Sequence, residues 1–313
     1  MIHTAVRTQY KVLDGQTDTS GYKLFNLMLS TRYVPHDFKF SYIVPIPKPK
    51  DYYSKPLKCD DFRGIAISPI LSKVFEYCLL DKFNRFLKTS DTQFGFKKGL
   101  GCNHAIFSVR TIVESFVRKG STVNLCAIDL SKAFDKVNLH ALFIKLMKRN
   151  VPVQLLALFE NMLFDCYSCV KWENIHSDFF TIMFGVRQGS VLAPFLFAVF
   201  LGELSDTCNL DRNRFIVVYA DDILLISTSV VTLENLIHLC ERELNWLDMA
   251  INYKKSSLIS LGDLCQFDCN LSLSSLIYRM FRHACNLQII NKLSVTELTD
   301  GSQTETVIFI SFF

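Results

Sequence analysis

The chain has 313 residues, of which 50% are hydrophobic and 20% are charged, so it can bury one large core or two smaller ones. With 12 glycines and 8 prolines, its composition excludes collagen-like, proline-rich and Gly/Ser-linker proteins. The net charge of +4 conceals an asymmetry, because residues 1–120 carry 19 Lys and Arg against 10 Asp and Glu, whereas residues 121–313 carry 15 against 20. A basic half beside an acidic half suits a polyanion held next to a cation site, although ordinary solvated faces can differ as much.

Neither the first residues nor the apolar runs predict a secreted or membrane-spanning protein. The best apolar run, residues 195–201, is far shorter than the ~20 residues of a spanning helix, and residues 1–11 carry no signal or transit pattern. We therefore expect a cytoplasmic or nuclear protein. Of the eleven cysteines, Cys166 and Cys169 have the C-x-x-C spacing of zinc ligands, but without a second pair they are better explained as small buried residues.

In the first 120 residues, short apolar runs and basic loops alternate with amphipathic helices. A Pro/Lys segment at residues 46–51 stops both a helix and a central strand, so the preceding apolar run is a strand that enters a basic loop. Apolar residues at i, i+3 and i+4 spacing predict helices. The predicted elements are strands at residues 42–46 and 64–67, a helix at 71–87, a glycine-containing loop at 93–101 and a helix at 105–117.

In the second half, acidic residues follow apolar strands. A buried strand at residues 123–128 ends at Asp129, and Asn138 can cap the helix that follows. Adjacent apolar runs flank Asp221 and Asp222, and a hairpin with both acids near its tip is cheaper than a buried strand with one carboxylate on each face. The other predicted elements are a strand at 179–184, a loop at 185–190 and an apolar helix at about 191–204 with Pro194 in its first turn.

Asp129, Asp221 and Asp222 each lie where an apolar strand ends. If those strands are neighbours in one sheet, the carboxylates converge, and two of them 4 Å apart repel by ~4 kcal/mol at an effective dielectric of ~20. Mg²⁺ relieves such repulsion, and two Mg²⁺ ions support in-line phosphoryl transfer, so nucleotidyl transfer is the implied reaction. The alternative is a turn or helix-cap role for Asp129 and an ordinary hairpin turn for the acidic pair.

Four motifs, in this order, resemble those of the reverse transcriptases of non-LTR, LINE-type retrotransposons. They are Gln-Phe-Gly-Phe at 93–96, Asp-Leu-Ser-Lys-Ala-Phe-Asp at 129–135, Gly-Val-Arg-Gln-Gly-Ser at 185–190 and Tyr-Ala-Asp-Asp at 219–222. The resemblance extends from about residue 38 to 262. It implies an α+β right-hand polymerase fold, with fingers and with a palm whose antiparallel sheet is backed by helices. It also implies an RNA-directed DNA polymerase that extends a DNA primer on an RNA template with dNTPs and two Mg²⁺ ions.

The same resemblance implies a role for each matched residue. Asp129 and Asp221 would ligate both metals with Asp222 as the supporting acid, and Phe134 would stack under the deoxyribose and exclude a 2′-hydroxyl. Lys48 and Arg63 would grip the triphosphate, and Gln188 would contact the incoming nucleotide. Arg187, Gly189 and Ser190 would support the 185–190 loop or the template. Lys255 would protonate the pyrophosphate. The alternatives are a core aromatic for Phe134 and hydrated surface cations for the lysines and Arg63.

The resemblance divides the chain into four parts. These are an N-terminal extension at 1–37, fingers at 38–120, a palm at 121–262 with a fingers insertion near 150–178, and a divergent tail or thumb remnant at 263–313.

The sequence departs from the family pattern in three places. Arg63 is followed by Gly64, where the family usually has proline. No primer grip or helical thumb is recognisable after Gly262, and no endonuclease precedes the fingers, so we expect integration to need a separate endonuclease. Two alternatives to a polymerase stay open: a catalytically inactive RNA-binding fragment of a decayed retrotransposon, or an unstable translation product without function.

Overall fold

The computed structural model describes residues 19–48, 57–206, 213–253 and 255–261, which fall into two compact units. We call them the five-stranded unit, within residues 1–89, 132–203 and 246–249, and the four-stranded unit, within residues 90–131, 204–245 and 250–313. The predicted thumb remnant at 263–313 lies outside the described residues, as do residues 1–18 of the predicted N-terminal extension and residues 49–51 of the basic loop.

The described residues form helices and strands of ordinary length. The helices are α1 (Thr19–Thr31), α2 (Ile70–Phe83), α3 (Cys102–Val117), α4 (Leu139–Lys148), α5 (Val153–Leu163), α6 (Ala193–Phe200), α7 (Gly202–Asp206) and α8 (Val230–Trp246). The strands are β1 (Phe40–Pro47), β2 (Phe62–Ile67), β3 (Val123–Ile128), β4 (Cys166–Trp172), β5 (Ile175–His176), β6 (Phe180–Ile182), β7 (Arg214–Tyr219), β8 (Asp222–Ser227) and β9 (Ser257–Leu261). None of the described helices is long and apolar enough to cross a bilayer.

The four-stranded unit is built on an antiparallel sheet in the order β7-β8-β3-β9. Val123 and Leu125 of β3 and Leu224 and Ile226 of β8 are buried in one cluster, because alternate residues of paired strands face the same side. Ala105 of α3 completes this cluster, and the apolar side of α3 packs against it. The sheet and its helix match the predicted palm architecture.

The five-stranded unit contains a mixed sheet in which β1 pairs antiparallel with β2 and parallel with β4. The prediction that the Pro/Lys segment stops the strand at residue 46 is wrong by one residue, because β1 runs through Pro47. Its pairing with β4 reaches only Ile43. Beyond that point no described strand pairs with this side of β1, and proline is tolerated there because no donor is needed on the open side.

Several predicted element ends need adjustment. Asn138 caps α4 as predicted, since its Oδ1 accepts a hydrogen bond from the Ala141 N–H (3.2 Å), and Pro194 lies in the first turn of α6. The helix predicted at about 191–204 is divided into α6 and α7. The division falls at Leu201, directly before Gly202, where a Cβ would lie 2.4 Å from an Arg149 side-chain nitrogen. The helix predicted at 71–87 ends at Phe83, and the strand predicted at 179–184 is only Phe180–Ile182.

The two cysteines with zinc-like spacing are buried in β4. Cys166 is 2% exposed and Cys169 is 3% exposed, and the Cys166 thiol donates a weak hydrogen bond to the Met162 carbonyl (3.2 Å). Burial raises the pKa of the Cys166 thiol, which disfavours the thiolate that a metal requires. Both cysteines therefore act as small core residues.

Candidate active site

The acidic pair lies on a tight hairpin between β7 and β8. Tyr219 pairs with Asp222, so Ala220 and Asp221 form a two-residue loop. Ala220 has a φ of +58°, which tight hairpin turns of the primed types require but which strains a residue with a Cβ by about 1 kcal/mol. The prediction of a hairpin with both acids near its tip is confirmed.

Strand β3 brings Asp129 to the same end of the sheet. Ile128 pairs with Ile223 of β8, and one further step in that register puts Asp129 opposite Asp222. Directly opposed residues on antiparallel strands have Cα atoms about 4.5–5.5 Å apart. The sheet register therefore brings Asp129, Asp221 and Asp222 to one edge of the four-stranded unit, as the convergence argument from the sequence expects.

The segment before β9 fixes the backbone at Asp129. The Asp129 N–H donates to Ser256 Oγ (3.2 Å), and the Asp129 carbonyl accepts from the Asn252 N–H (2.8 Å). This places Lys255 beside the acid, with its Nζ 3.7 Å from Asp129 Oδ2. The Asp129 side chain is 15% exposed and that of Lys255 is 49% exposed, so the ion pair lies at the edge of the protein interior.

The oxygens at this edge suit a hard divalent cation. Asp129 Oδ2 is buried and accepts no hydrogen bond from any described residue, so it retains lone pairs for a ligand. No group of three His, Cys, Asp or Glu side chains in the described ranges forms a ready-made metal cluster. Mg²⁺ is usually bound by one or two carboxylates together with substrate phosphates, so these donors fit a metal that binds with a nucleotide.

In the five-stranded unit, residues 185–190 form a loop that is held against β2 and the end of the 129–135 motif. The Gln188 carbonyl accepts from the Ala66 N–H (2.6 Å), and a Cβ on Gly189 would lie 2.4 Å from the Ala66 carbonyl oxygen. At the start of the loop, the Val186 N–H donates to the Phe134 carbonyl (2.9 Å). Only glycine permits the close approach at residue 189, where φ is +113°.

Two of the predicted nucleotide contacts act on one carboxylate, that of Asp135. Gln188 Nε2 donates to Asp135 Oδ1 (3.1 Å), and the positive charge of Lys48 also acts on this group. Desolvation by the surrounding protein raises the pKa of the Asp135 carboxyl, and the Gln188 hydrogen bond and the charges of Lys132 and Lys48 oppose that rise only in part. Lys48 and Gln188 are therefore in the same part of the five-stranded unit.

Arg187 and Ser190 use their polar groups within the protein. Arg187 donates to the carbonyls of Phe38 (3.2 Å) and Met162 (3.5 Å), and Ser190 Oγ donates to Glu76 Oε2 (2.7 Å). These contacts favour the loop-supporting role over direct template contact for both residues.

The chain matches the family model of reverse transcriptase (RNA-dependent DNA polymerase) over residues 46–306. It belongs to this family. Its relatives include a probable RNA-directed DNA polymerase from transposon BS of Drosophila melanogaster, 28% identical over 215 residues, and the RNA-directed DNA polymerase from mobile element jockey of Drosophila funebris, 28% identical over 222 residues. These alignments cover 66% and 67% of this chain but 23% and 24% of the relatives, so the chain spans about a quarter of their length.

Solved structures with this reverse transcriptase fold include two telomerases. A C-terminally truncated apo telomerase from Candida tropicalis aligns with a TM-score of 0.56 and 15% identity over 75% of this chain and 52% of that chain. A Candida albicans telomerase aligns with a TM-score of 0.53 and 13% identity over 78% of this chain and 46% of that chain. The predicted fold class, α+β with polymerase fingers and palm, and the prediction of a non-LTR reverse transcriptase domain are confirmed.

Phe134 and Arg63 of this reverse transcriptase domain both lie in the five-stranded unit. The ring of Phe134 stacks on the buried Phe197 of α6, with centroids 4.5 Å apart and planes 22° apart, and Phe134 itself is half-buried. One ring face is thus part of the core, as the core-aromatic alternative expects, and this contact also fixes the ring in place. Arg63 lies on β2 opposite Ile46 of β1 and is half-buried.

Sequence reasoning assigned no role to Asp135, Glu76 or Gln93. Asp135 is the last residue of the 129–135 motif, in which the family resemblance implies roles only for Asp129 and Phe134, and its contact with Gln188 spans 53 residues of chain. Glu76 lies on the apolar face of α2 and contacts Ser190, 114 residues away. For Glu76, the sequence offers one signal: a charged residue among the apolar residues of a helix face requires a partner when that face is buried.

Proposed function

We propose that this chain is an RNA-directed DNA polymerase that adds dNTPs to a primer 3′-end on an RNA template by two-metal phosphoryl transfer. The observation that carries the proposal is the register of β3 and β8, which ends at the pair Ile128–Ile223 and so brings the adjoining Asp129 and Asp222 to the end of the sheet where the hairpin loop bears Asp221. Family membership supports the reaction class, and one of the telomerases of similar fold is in complex with a fragment of telomeric RNA.

In this proposal, Asp129 and Asp221 hold two Mg²⁺ ions and Asp222 supports them. When bound, the ions activate the primer 3′-hydroxyl and neutralise the charge that develops on the phosphates. Asp129 presents a buried oxygen that accepts no hydrogen bond from the described residues. The ammonium of Lys255, 3.7 Å from that oxygen, offsets its negative charge and carries a proton of the kind that a pyrophosphate leaving group requires.

The nucleotide side of the proposal depends on residues of the five-stranded unit. Lys48 and Arg63 bind the triphosphate, since Arg offers phosphate a bidentate fork and Lys a point charge. Gln188 contacts the incoming nucleotide. Phe134 discriminates against ribose, because its ring is stacked on Phe197, is thereby held in place and resists displacement by a 2′-hydroxyl.

Primer extension by the purified chain tests the proposal. The assay supplies a DNA primer annealed to RNA, dNTPs and Mg²⁺, and compares the unmodified protein with Asp221→Asn and with Asp178→Asn, a control on an exposed residue outside the motifs. We expect extension by the unmodified protein and the control, and a loss on the order of 10²-fold or more for Asp221→Asn. Equal extension by Asp221→Asn would contradict the assignment.

The RNA-binding alternative predicts a different result. Tight RNA binding that weakens steeply with salt, without any primer extension by the unmodified chain, would replace the polymerase proposal with that of a binding module.

A further inference from the structure

A short segment before α3 runs alongside the catalytic hairpin in the four-stranded unit. The Phe94 N–H donates to the Val218 carbonyl (2.8 Å), and the Val218 N–H donates to the Thr92 carbonyl (2.9 Å). Gln93 thereby forms an isolated parallel bridge with Val218 of β7. The backbone pairing reaches Val218 and stops there, two residues before Ala220.

The side chain of Gln93 continues this pairing to the hairpin loop. Its Oε1 accepts from the Ala220 N–H (3.1 Å), and its Nε2 donates to the Ala220 carbonyl (3.3 Å). The same Oε1 accepts from the Gly95 N–H (2.8 Å). Gln93 is 4% exposed, so water does not compete freely for these groups. The primary amide thus satisfies both backbone groups of one loop residue, as a neighbouring strand would.

Gly95 lets this segment approach the hairpin loop closely. A Cβ at residue 95 would lie 2.4 Å from the Ala220 nitrogen and 3.0 Å from its Cα. Since both of these atoms belong to the backbone, a larger residue at position 95 must push the loop itself. Gln93 and Gly95 therefore contact the same residue of the hairpin from one side.

The residue held in this way is the strained one, and it directly precedes Asp221. Ala220 has a φ of +58°, a conformation that an alanine keeps only when its surroundings hold it. If Ala220 relaxes, the peptide that carries Asp221 rotates and its carboxylate moves. We propose that Gln93, with Gly95, is a positioning element that holds Ala220 in this conformation and thereby fixes Asp221 for catalysis, an inference that rests on the proposed function.

The test compares Gln93→Met, which keeps the length of the side chain without its hydrogen bonds, with Asn124→Leu. Asn124 is a matched control because it is also a buried amide, at 3% exposure, with hydrogen bonds to Ser227 and Ser260 near the other end of β3. We expect both variants to lower the thermal midpoint by about 2–4 °C. Only Gln93→Met should lower kcat for single-nucleotide addition, by about 10- to 100-fold, with KM for dNTP within about threefold.

A second readout does not depend on activity. Amide hydrogen exchange at Ala220 should be faster in Gln93→Met than in the unmodified protein and unchanged in Asn124→Leu. Gln93→Glu retains the acceptor for the Ala220 N–H but repels its carbonyl, so protection should persist while kcat falls to an intermediate value. This variant also keeps the test decisive if Gln93→Met does not fold.

Two results would overturn the inference. One is unchanged exchange at Ala220 in Gln93→Met, and the other is an equal loss of kcat in Gln93→Met and Asn124→Leu. If the unmodified protein extends no primer, the proposed function fails, and hydrogen exchange then decides by itself whether Gln93 holds the loop.

Discussion

Gly185→Ala tests how closely the nucleotide-contacting loop is packed against the 129–135 motif. Gly185 has a φ of +87°, and a Cβ there would lie 2.6 Å from the Asp135 carbonyl oxygen and 2.8 Å from that of Phe134. Gly120 has a similar φ of +72°, but a Cβ there would have no atom within 4 Å. Both Gly→Ala changes introduce the same backbone strain, and only the first adds a collision with backbone atoms.

Comparing the two substitutions therefore separates two losses in the free energy of unfolding, one from backbone strain and one from collision with neighbouring atoms. A Cβ in the left-handed region costs about 1 kcal/mol, which is the whole expectation for Gly120→Ala. The collision at Gly185 adds roughly 1–3 kcal/mol, because the opposing atoms are backbone and must move together, which gives about 2–4 kcal/mol for Gly185→Ala.

Urea denaturation measures this difference from the transition midpoints at a shared m-value. In primer extension, Gly185→Ala should also raise KM for dNTP, because the displaced residues include the Gln188 partner Asp135, whereas Gly120→Ala should leave KM unchanged. Equal destabilisation by the two substitutions would refute the packing argument, and an unchanged KM in Gly185→Ala would refute its link to the nucleotide site.

Three further predictions concern the five-stranded unit. Glu76→Leu removes the acceptor of three donors, of which the Leu192 N–H is buried and the Ser190 hydroxyl and the Val191 N–H are half-buried, so urea denaturation should show a loss of about 3 kcal/mol. Ser72→Ala removes a buried hydroxyl with no hydrogen-bond partner among the described residues, and it should be neutral or stabilising. Because the folded protein raises the pKa of Asp135, the ionised carboxylate destabilises the folded state, and the free energy of unfolding of the unmodified protein, relative to that of Asp135→Asn, should fall as pH rises above about 4 and then level off. A difference in the free energy of unfolding that stays constant from about pH 3 to pH 7 would contradict this. Phe134→Val should raise the ratio of rNTP to dNTP incorporation by about tenfold or more in single-nucleotide assays, and an unchanged ratio would leave Phe134 as a core aromatic only.

The sequence predicts best those elements whose pattern is local. The bounds of β3 are as predicted, because an uninterrupted apolar run ends at a carboxylate. The position of α3 follows from the 3.6-residue spacing of its apolar residues, and the hairpin at 219–222 follows from the cost of burying two acids in one strand. Capping of α4 by Asn138 is likewise a local effect, readable from one side chain before an apolar repeat.

The remaining features depend on contacts between distant segments. Proline positions indicate that β1 should end at residue 46, but β1 continues to Pro47, because beyond Ile43 no strand of the described ranges pairs with one of its sides and no donor is needed there. Gln93 contacts Ala220 across 127 residues and Glu76 contacts Ser190 across 114. A single sequence carries no record of such pairs, so Gln93 is the first residue of a family-like motif with no assigned contact until the tertiary structure supplies its partner.

The order of strands in the two sheets has a consequence for biosynthesis. The two partners of β3 in its sheet are β8 and β9, which are synthesised only at residues 222–227 and 257–261. The parallel partner of β1 is β4, and their paired residues are complete only when residue 170 has been synthesised. Such long sequence separations slow folding and prolong the exposure of apolar strand edges. While it is still attached to the ribosome, the nascent chain therefore carries both incomplete sheets at once, and we expect chaperones that shield apolar strands to raise its yield.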